Sequence, residues 1–426
     1  MLQQAWALRV SIGMSMASLP TPIASSFWQR LRHGPAGLLA SRPVVWVIGF
    51  FAFLNVYSMQ AVLPLVMREL QATPLQAGAT VGATVLAIAL VSPFMGMLSD
   101  AFGRKRILCT ALFAMCLPTA LIATAGSLHT LVLLRFLQGL AVPGIVVVLV
   151  AYLSEEFRDG GVARMTSTYV GGTVMGGFCG RFVTGHVSDV WGWRSAYLVL
   201  AALNLLGALW VLWSLPASRH FVANRHVGQA LRTLVGHLRN RRFLAICALG
   251  FCVLSSLVGS FTYVNLYLAD APFHMSSAGL ANVFAVYLLG VVVTPLAGRF
   301  IVRLGFLRSV LCTLALSACG LLLTLLPSIP AVILGLALSS CGVFICQSAT
   351  IGHIADTVRH GRSLATGIYY LSYYAGGATG AWVAGLAFEG WNWPGSVLSI
   401  ILLQALGACI ALAFLRTPGP APRPAA

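Results

Sequence analysis

The sequence predicts an all-α polytopic membrane protein, with twelve transmembrane helices in two pseudo-symmetric six-helix halves. Three observations carry that reading. Of the 426 residues, 59% are hydrophobic and only 8% are charged, which is too little charge to cover a soluble protein of this size. Apolar runs of about 20 residues, each able to span a bilayer core, recur along the whole length. They are too long for membrane strands and lack the alternation of a barrel. The net charge of +17 is not gathered on one domain but spread over short loops between the apolar runs. That is how topology is encoded, and it excludes a nucleic-acid surface.

Residues 1–43 carry Arg9, Arg30, Arg32 and Arg42 and no acid, and read as a cytoplasmic tail. Spans follow at about 44–66, 77–98, 107–126, 130–152, 165–187 and 194–215, forming the N-terminal half, 44–215. Residues 216–242 hold Arg219, Arg225, Arg232, Arg239, Arg241 and Arg242, again with no acid, and read as a basic cytoplasmic linker. The C-terminal half, 243–415, has spans at about 243–268, 278–298, 307–327, 329–352, 363–386 and 394–415. A Pro-rich cytoplasmic tail occupies 416–426. With both termini inside, 22 of the 26 Lys and Arg face the cytoplasm; Arg68 and Arg194 fall outside, and Arg135 and Arg181 fall within spans. This bias is the positive-inside signature.

The halves repeat each other. Gly176, Gly177, Gly180 and Gly185 recur 200 residues later as Gly376, Gly377, Gly380 and Gly385, and Trp191 and Trp193 recur as Trp391 and Trp393. At an offset of 202, Pro93, Gly96 and Gly103 recur as Pro295, Gly298 and Gly305. Parallel repeats of this kind are related by an axis along the membrane normal. Gly172, Gly176 and Gly180, four apart, form a bare stripe that lets a neighbouring helix approach closely.

Two further stretches carry chemistry. The turn Gly96-Met97-Leu98-Ser99-Asp100-Ala101-Phe102-Gly103-Arg104-Lys105-Arg106 packs one carboxylate, two glycines and three consecutive cations between two spans. Arg135-Phe136-Leu137-Gln138-Gly139 places a cation inside the fourth span, where it must face the bundle interior, a cavity or an interface. Arg181 is a second such cation. No Asp or Glu lies in the middle of any predicted span; Asp270, at an outer end, is the nearest. Substrate-lining candidates are Asn55, Tyr57, Gln60, Tyr263, Asn265, Tyr370, Tyr373 and Tyr374, with Gln347 in the tenth span. The ten cysteines show no CxxC and no metal spacing, and read as small buried hydrophobes. There is no phosphate-binding loop, catalytic triad or cofactor motif, so no enzyme and no cofactor is expected.

The turn Gly-x-Leu-x-Asp-x-x-Gly-Arg-Lys-Arg resembles the signature loop of the major facilitator superfamily. The Arg-x-x-Gln-Gly run resembles that family's fourth-helix pattern, associated there with proton transfer. The glycine-rich fifth span resembles, loosely, the antiporter motif, without its Gly-Pro dipeptide. The resemblance extends over about 44–415 and is nearest to twelve-helix drug:proton antiporters and arabinose-efflux-like permeases. It implies a monomer in the inner membrane that exports a small molecule by alternating access, with protons as coupling ions. It assigns gating to the turn, Gly96, Asp100, Gly103, Arg104 and Lys105; Glu155, in the acidic loop after the fourth span, is a candidate to join that network, and coupling or substrate binding is left to Arg135, Gln138, Arg181 and Asp270. Two alternatives stand beside export. One is uptake or exchange of an anionic metabolite on Arg135 and Arg181. The other is a non-transporting membrane sensor.

Overall fold

The computed structural model describes residues 35–157, 161–216, 218, 236–357 and 362–415. Most of the basic linker, Arg158, Asp159, residues 1–34 of the N-terminal tail and the C-terminal tail lie outside these. The chain divides into two compact units, Met1–Pro43 and Val44–Ala426. The described residues of the first are helical.

The second unit is a bundle of long helices. In chain order these are α1 (Pro35–Leu54, entering from the first unit), α2 (Leu63–Glu69), α3 (Pro74–Phe102), α4 (Arg104–Ile122), α5 (Leu128–Glu156) and α6 (Gly161–Ser214). After the linker come α7 (Arg241–Ala269), α8 (Ser277–Val283), α9 (Leu289–Leu304), α10 (Phe306–Leu323), α11 (Ile329–Thr357) and α12 (Arg362–Phe414). Local sequence sets many of the starts. Thr73 and Gln76 form a capping box on α3, Ser127 caps α5, Asn240 caps α7 and Ser276 caps α8, each satisfying backbone N–H groups that a helix start leaves unpaired.

The first predicted span is broken, and the eighth carries a 3-10 turn within it. The first bends by 43° between Arg42–Leu54 and Ser58–Glu69, with a 3-10 turn at Ser58–Val62. Pro64 stands in the first turn of α2, where its missing N–H is tolerated. The predicted eighth span is likewise α8 and α9 joined by a 3-10 turn at Phe284–Leu288. Conversely, α6 and α12 each cover two predicted spans. Non-helical residues interrupt them, Gly192 in α6 and Trp391–Asn392 in α12. Among the described residues, nine helices are long and apolar enough to cross a membrane, ten if the bent first pair counts as one. Their outer surfaces are apolar, with Phe94, Leu117, Leu206 and Trp213 well exposed, as suits contact with lipid.

The backbone repeats as the sequence does. Positive φ angles occur at Gly103 and Gly305, and at Gly192 and Asn392, pairs separated by the same 202 and 200 residues as the sequence matches. Asparagine is among the few non-glycine residues that tolerate this conformation. The glycine stripe packs as its spacing predicts. A Cβ at Gly172, Gly176 or Gly180 would strike the carbonyls of Trp46, Phe50 and Leu54 in turn. Gly376 and Gly380 meet Phe251 and Ser255 of α7 in the same way. All ten cysteines are free, but Cys312, Cys319 and Cys409 are exposed rather than buried, because the outer face of a membrane helix is as apolar as its core.

Candidate functional site

Gly103 is the single residue between α3 and α4, and its φ of +95° makes so abrupt a turn feasible. The turn brings Asp100, in the last turn of α3, to 2.5 Å from Nη2 of Arg104. Glu155, in the last turn of α5, takes the same guanidinium in a fork. Its Oε1 lies 2.6 Å from Nη2, and its Oε2 accepts from Nε at 3.2 Å. Nη1 of Arg104 donates to the Ser99 hydroxyl, which itself donates to the carbonyl of Gly96 at 2.9 Å. Arg104 is buried while both acids stay partly exposed; Lys105 is half-buried beside it. The cluster therefore ties together α3, α4 and α5. Among the described residues, the turn at Gly305 shows no such ion pairs. Val302, matching Asp100, is 86% exposed, and Phe306, matching Arg104, stacks on His353 of α11 at 4.2 Å.

Arg135 and Gln138 sit on α5 and are fully buried. The break after α1 leaves helix-end carbonyls short of helical partners; the Ser58 N–H and hydroxyl reach that of Asn55, and Arg135 completes the set. Its Nη1 donates to the carbonyl of Asn55 at 2.9 Å and its Nη2 to that of Val56 at 2.6 Å. Nε donates to the carbonyl of Thr80 at 3.2 Å, and Nη1 also donates to Gln138 Oε1. Gln138 Nε2 in turn donates to Thr119 Oγ1 at 2.6 Å. A cation at the negative end of a helix is also favoured electrostatically. Four N–H groups of Arg135 are thus committed to fixing the broken first helix.

Arg181, on α6, is fully buried in different company. Nε donates to Gln60 Oε1 at 2.8 Å and Nη1 to the carbonyl of Gly177 at 2.7 Å. Its guanidinium lies over the rings of Tyr287, Phe284 and Tyr57 at 4.4, 4.6 and 4.8 Å from their centroids. Gln60 passes the contact on, donating to Thr262 Oγ1 of α7 at 3.0 Å.

Tyr57, Tyr287 and Gly177 also line a cavity of about 180 Å³. Its wall comes from both sides of the linker: Phe53, Val146, Tyr169 and Thr173 before it; Leu254, Thr294, Phe344, Gln347, Ser348, Tyr370, Tyr373 and Tyr374 after it. The tyrosines pack on one another, Tyr373 edge-on to Tyr374 at 5.4 Å and Tyr287 edge-on to Phe344 at 5.5 Å. The surface is aromatic with hydroxyl and amide groups set into it, the usual composition of a site for a small organic molecule. No Asp, Glu, Lys or Arg is among its lining residues.

Of the lining candidates, Tyr57, Tyr370, Tyr373, Tyr374 and Gln347 come together here. The others lie elsewhere in the packing. Tyr263 donates to the carbonyl of Ala381 at 2.8 Å, and Asn265 Nδ2 donates to that of Phe261 at 2.7 Å. Asn55 is buried at the break, and Gln60 bridges Arg181 and Thr262. Asp270 is exposed and accepts from the N–H of Ala271. Tyr169, Phe53, Tyr287 and Phe344 were not anticipated. The repeat held a signal for two of them: an offset of 201 maps Tyr370 onto Tyr169 and Leu254 onto Phe53, and all four line the cavity. Among the described residues, no group of His, Cys, Asp or Glu is arranged to hold a metal ion.

The family model described as Major Facilitator Superfamily matches residues 45–276 and 263–426. The chain belongs to this superfamily. It is 29% identical over 361 residues to the uncharacterized MFS-type transporter YybF of Bacillus subtilis (strain 168), covering 84% of this chain and 89% of that one. It is 30% identical over 384 residues to the inner membrane transport protein YnfM of Escherichia coli (strain K12), covering 89% and 91%. The crystal structure of the nucleoside transporter NupG superposes with a TM-score of 0.71 at 14% identity, covering 88% of this chain and 100% of that one; at that identity the likeness is one of fold. The chain is thus a multi-pass membrane transporter, and its family and relatives are transporters rather than enzymes.

Proposed function

We propose that this transporter exports a small molecule in exchange for protons, by alternating access through the tyrosine-lined cavity. The observation that carries the reading is where the two sides of the linker touch. Gln60 meets Thr262, Arg68 donates to the carbonyl of Ala269 at 3.5 Å, and the N–H of Leu75 donates to Glu389 at 3.2 Å. His186 and Asn282 meet at 3.0 Å. These contacts gather toward the start of α3 and the end of α7, opposite the Gly103 turn. The cavity is therefore sealed on that side. The positive-inside pattern puts the Gly103 end in the cytoplasm, so this is an inward-facing state, with both termini cytoplasmic and residence in the inner membrane, as for YnfM.

Reading α6 and α12 as two spans each raises the count from ten to twelve, six on either side of the linker at 216–242. The halves rock about the cavity, and the Asp100–Arg104–Glu155 cluster, confined here to one half, engages across the cytoplasmic face when the other state forms. One chain forms the whole path, so a monomer suffices. Proteoliposomes holding the full chain, loaded with radiolabelled aromatic molecules of each charge, test the reading. A pH gradient accelerates efflux of at least one compound. Flux that ignores the gradient removes the proton, and flux no greater than from empty liposomes removes transport through this path.

A further inference from the structure

The buried arginines of this protein are neutralised in different ways. Arg104 has Asp100 and Glu155, and Arg135 has three backbone carbonyls and the Gln138 side chain. Arg181 has neither. Among the described residues no carboxylate pairs with it. Its Nη2 is buried with no hydrogen-bond partner, although the rest of the guanidinium is held by Gln60 and Gly177. A buried cation with an unused donor is costly unless an anion completes it. The three rings around it are attracted to the positive charge and the Tyr287 hydroxyl interacts with the guanidinium, but a neutral phenol does not balance a buried cation as a carboxylate does.

We infer that Arg181 is the recognition group for a carboxylate on the transported molecule, whose aromatic or apolar body lies in the tyrosine cavity. The inference rests on the proposed transport through that cavity and names its substrate class. The geometry that supports it is adjacency. Tyr57 and Tyr287 each present one part to the cavity and a ring face to Arg181, and Gly177 borders both. The guanidinium therefore stands one aromatic layer behind the cavity wall, on the same side as the Gln60–Thr262 contact. When either ring turns aside, a carboxylate reaches Nη2. A carboxylate that takes that position enters between α6, α8 and the Gln60 bridge, so its arrival and departure act on a contact that joins the two sides of the linker. The amide and hydroxyl groups of Gln347, Thr173 and Ser348 remain for polar substituents on the body. The charge logic selects Arg181 alone; Arg135, committed to the carbonyls of the first helix, is a positioning residue.

The test uses the full chain purified in detergent at pH 7 and reads affinity from thermal stabilisation, with benzoate, 2-naphthoate and their neutral amides as probes. Each acid is expected to bind about tenfold or more tightly than its amide, the share of a charge-assisted hydrogen bond. Arg181→Gln is expected to erase the difference between acid and amide, and Arg181→Lys to keep part of it. Equal affinity for acids and amides in the unmodified chain, or binding of none of the four, overturns the inference whether or not the variants fold. A preference for acids that survives in a folded Arg181→Gln variant also overturns it. If pH-driven flux is found but acids are not preferred, only this inference falls. If acids bind through Arg181 and no compound moves in liposomes, only the transport reading falls.

Discussion

Removing both acids around Arg104 should cost more than removing each in turn. Asp100→Asn withdraws a single contact at 2.5 Å from a side chain that is 32% exposed. Glu155→Gln withdraws a fork at 2.6 and 3.2 Å from one that is 28% exposed. Hydrogen bonds to charged groups contribute about 1.5–3 kcal/mol when shielded, and partial exposure screens that to about 1 kcal/mol for either change. In each single variant the remaining acid still pairs with Arg104, and the repulsion between the two carboxylates disappears. The double variant differs in kind. Arg104, whose side chain is only 8% exposed, then loses both carboxylates, Asp100 and Glu155, that pair with it. Stranding a buried charge costs about 3–5 kcal/mol, so the double variant should lose about 3 kcal/mol against about 2 kcal/mol for two independent losses of that size. Apparent melting temperatures of the full chain and the three variants, followed by intrinsic fluorescence in one detergent, give the comparison. A double variant that shifts no further than the summed single shifts would show that Arg104 is not the shared partner that makes the cluster cooperative.

Three other outcomes follow from the same geometry. Gly176→Leu drives a side chain into the carbonyl of Phe50 and should lower stability by about 1–3 kcal/mol or more through overpacking. Gly126→Ala, where nothing lies within 4 Å of the added carbon, should leave the melting temperature unchanged. Arg135→Lys keeps the charge but loses the flat fork that reaches the carbonyls of Asn55, Val56 and Thr80 at once. It should lower melting by the equivalent of about 2 kcal/mol, and a neutral result would remove its role in holding the break. Tyr370→Ala opens the cavity wall and removes one aromatic contact surface; affinity for whichever aromatic compound is transported should fall up to about tenfold, measured as a rise in the half-saturating concentration for flux.

Much of the site was visible in the sequence, though not its assembly. Gly96–Arg106 already held the turn, the cations and one acid. Glu155 lies 51 residues beyond Arg104, and only the packing of α4 on α5 makes it the partner. Tyr370, Tyr373 and Tyr374 were legible because tyrosines at helical spacing share a face, and Tyr57 as one of the polar and aromatic residues of the first span. Tyr263 has the same chemistry but turns onto α12, and Asn265 bonds within α7; nothing local distinguishes them. Arg135 and Arg181 look alike in sequence, each a lone cation in an apolar span. Their surroundings separate them: one meets open carbonyls, the other three rings and an unfilled hydrogen-bond direction.

By itself the sequence determined the class, the repeat and the places where the chain turns. Those depend on hydrophobicity, charge and glycine content, which act through solvent and through the backbone's own steric limits. The tertiary structure decided which polar groups meet. It brought the broken first helix onto Arg135, closed one end of the bundle and set Arg181 behind a wall of tyrosines. In an apolar bundle a buried charge depends on neighbours from distant segments, and their identity exists only once the helices pack.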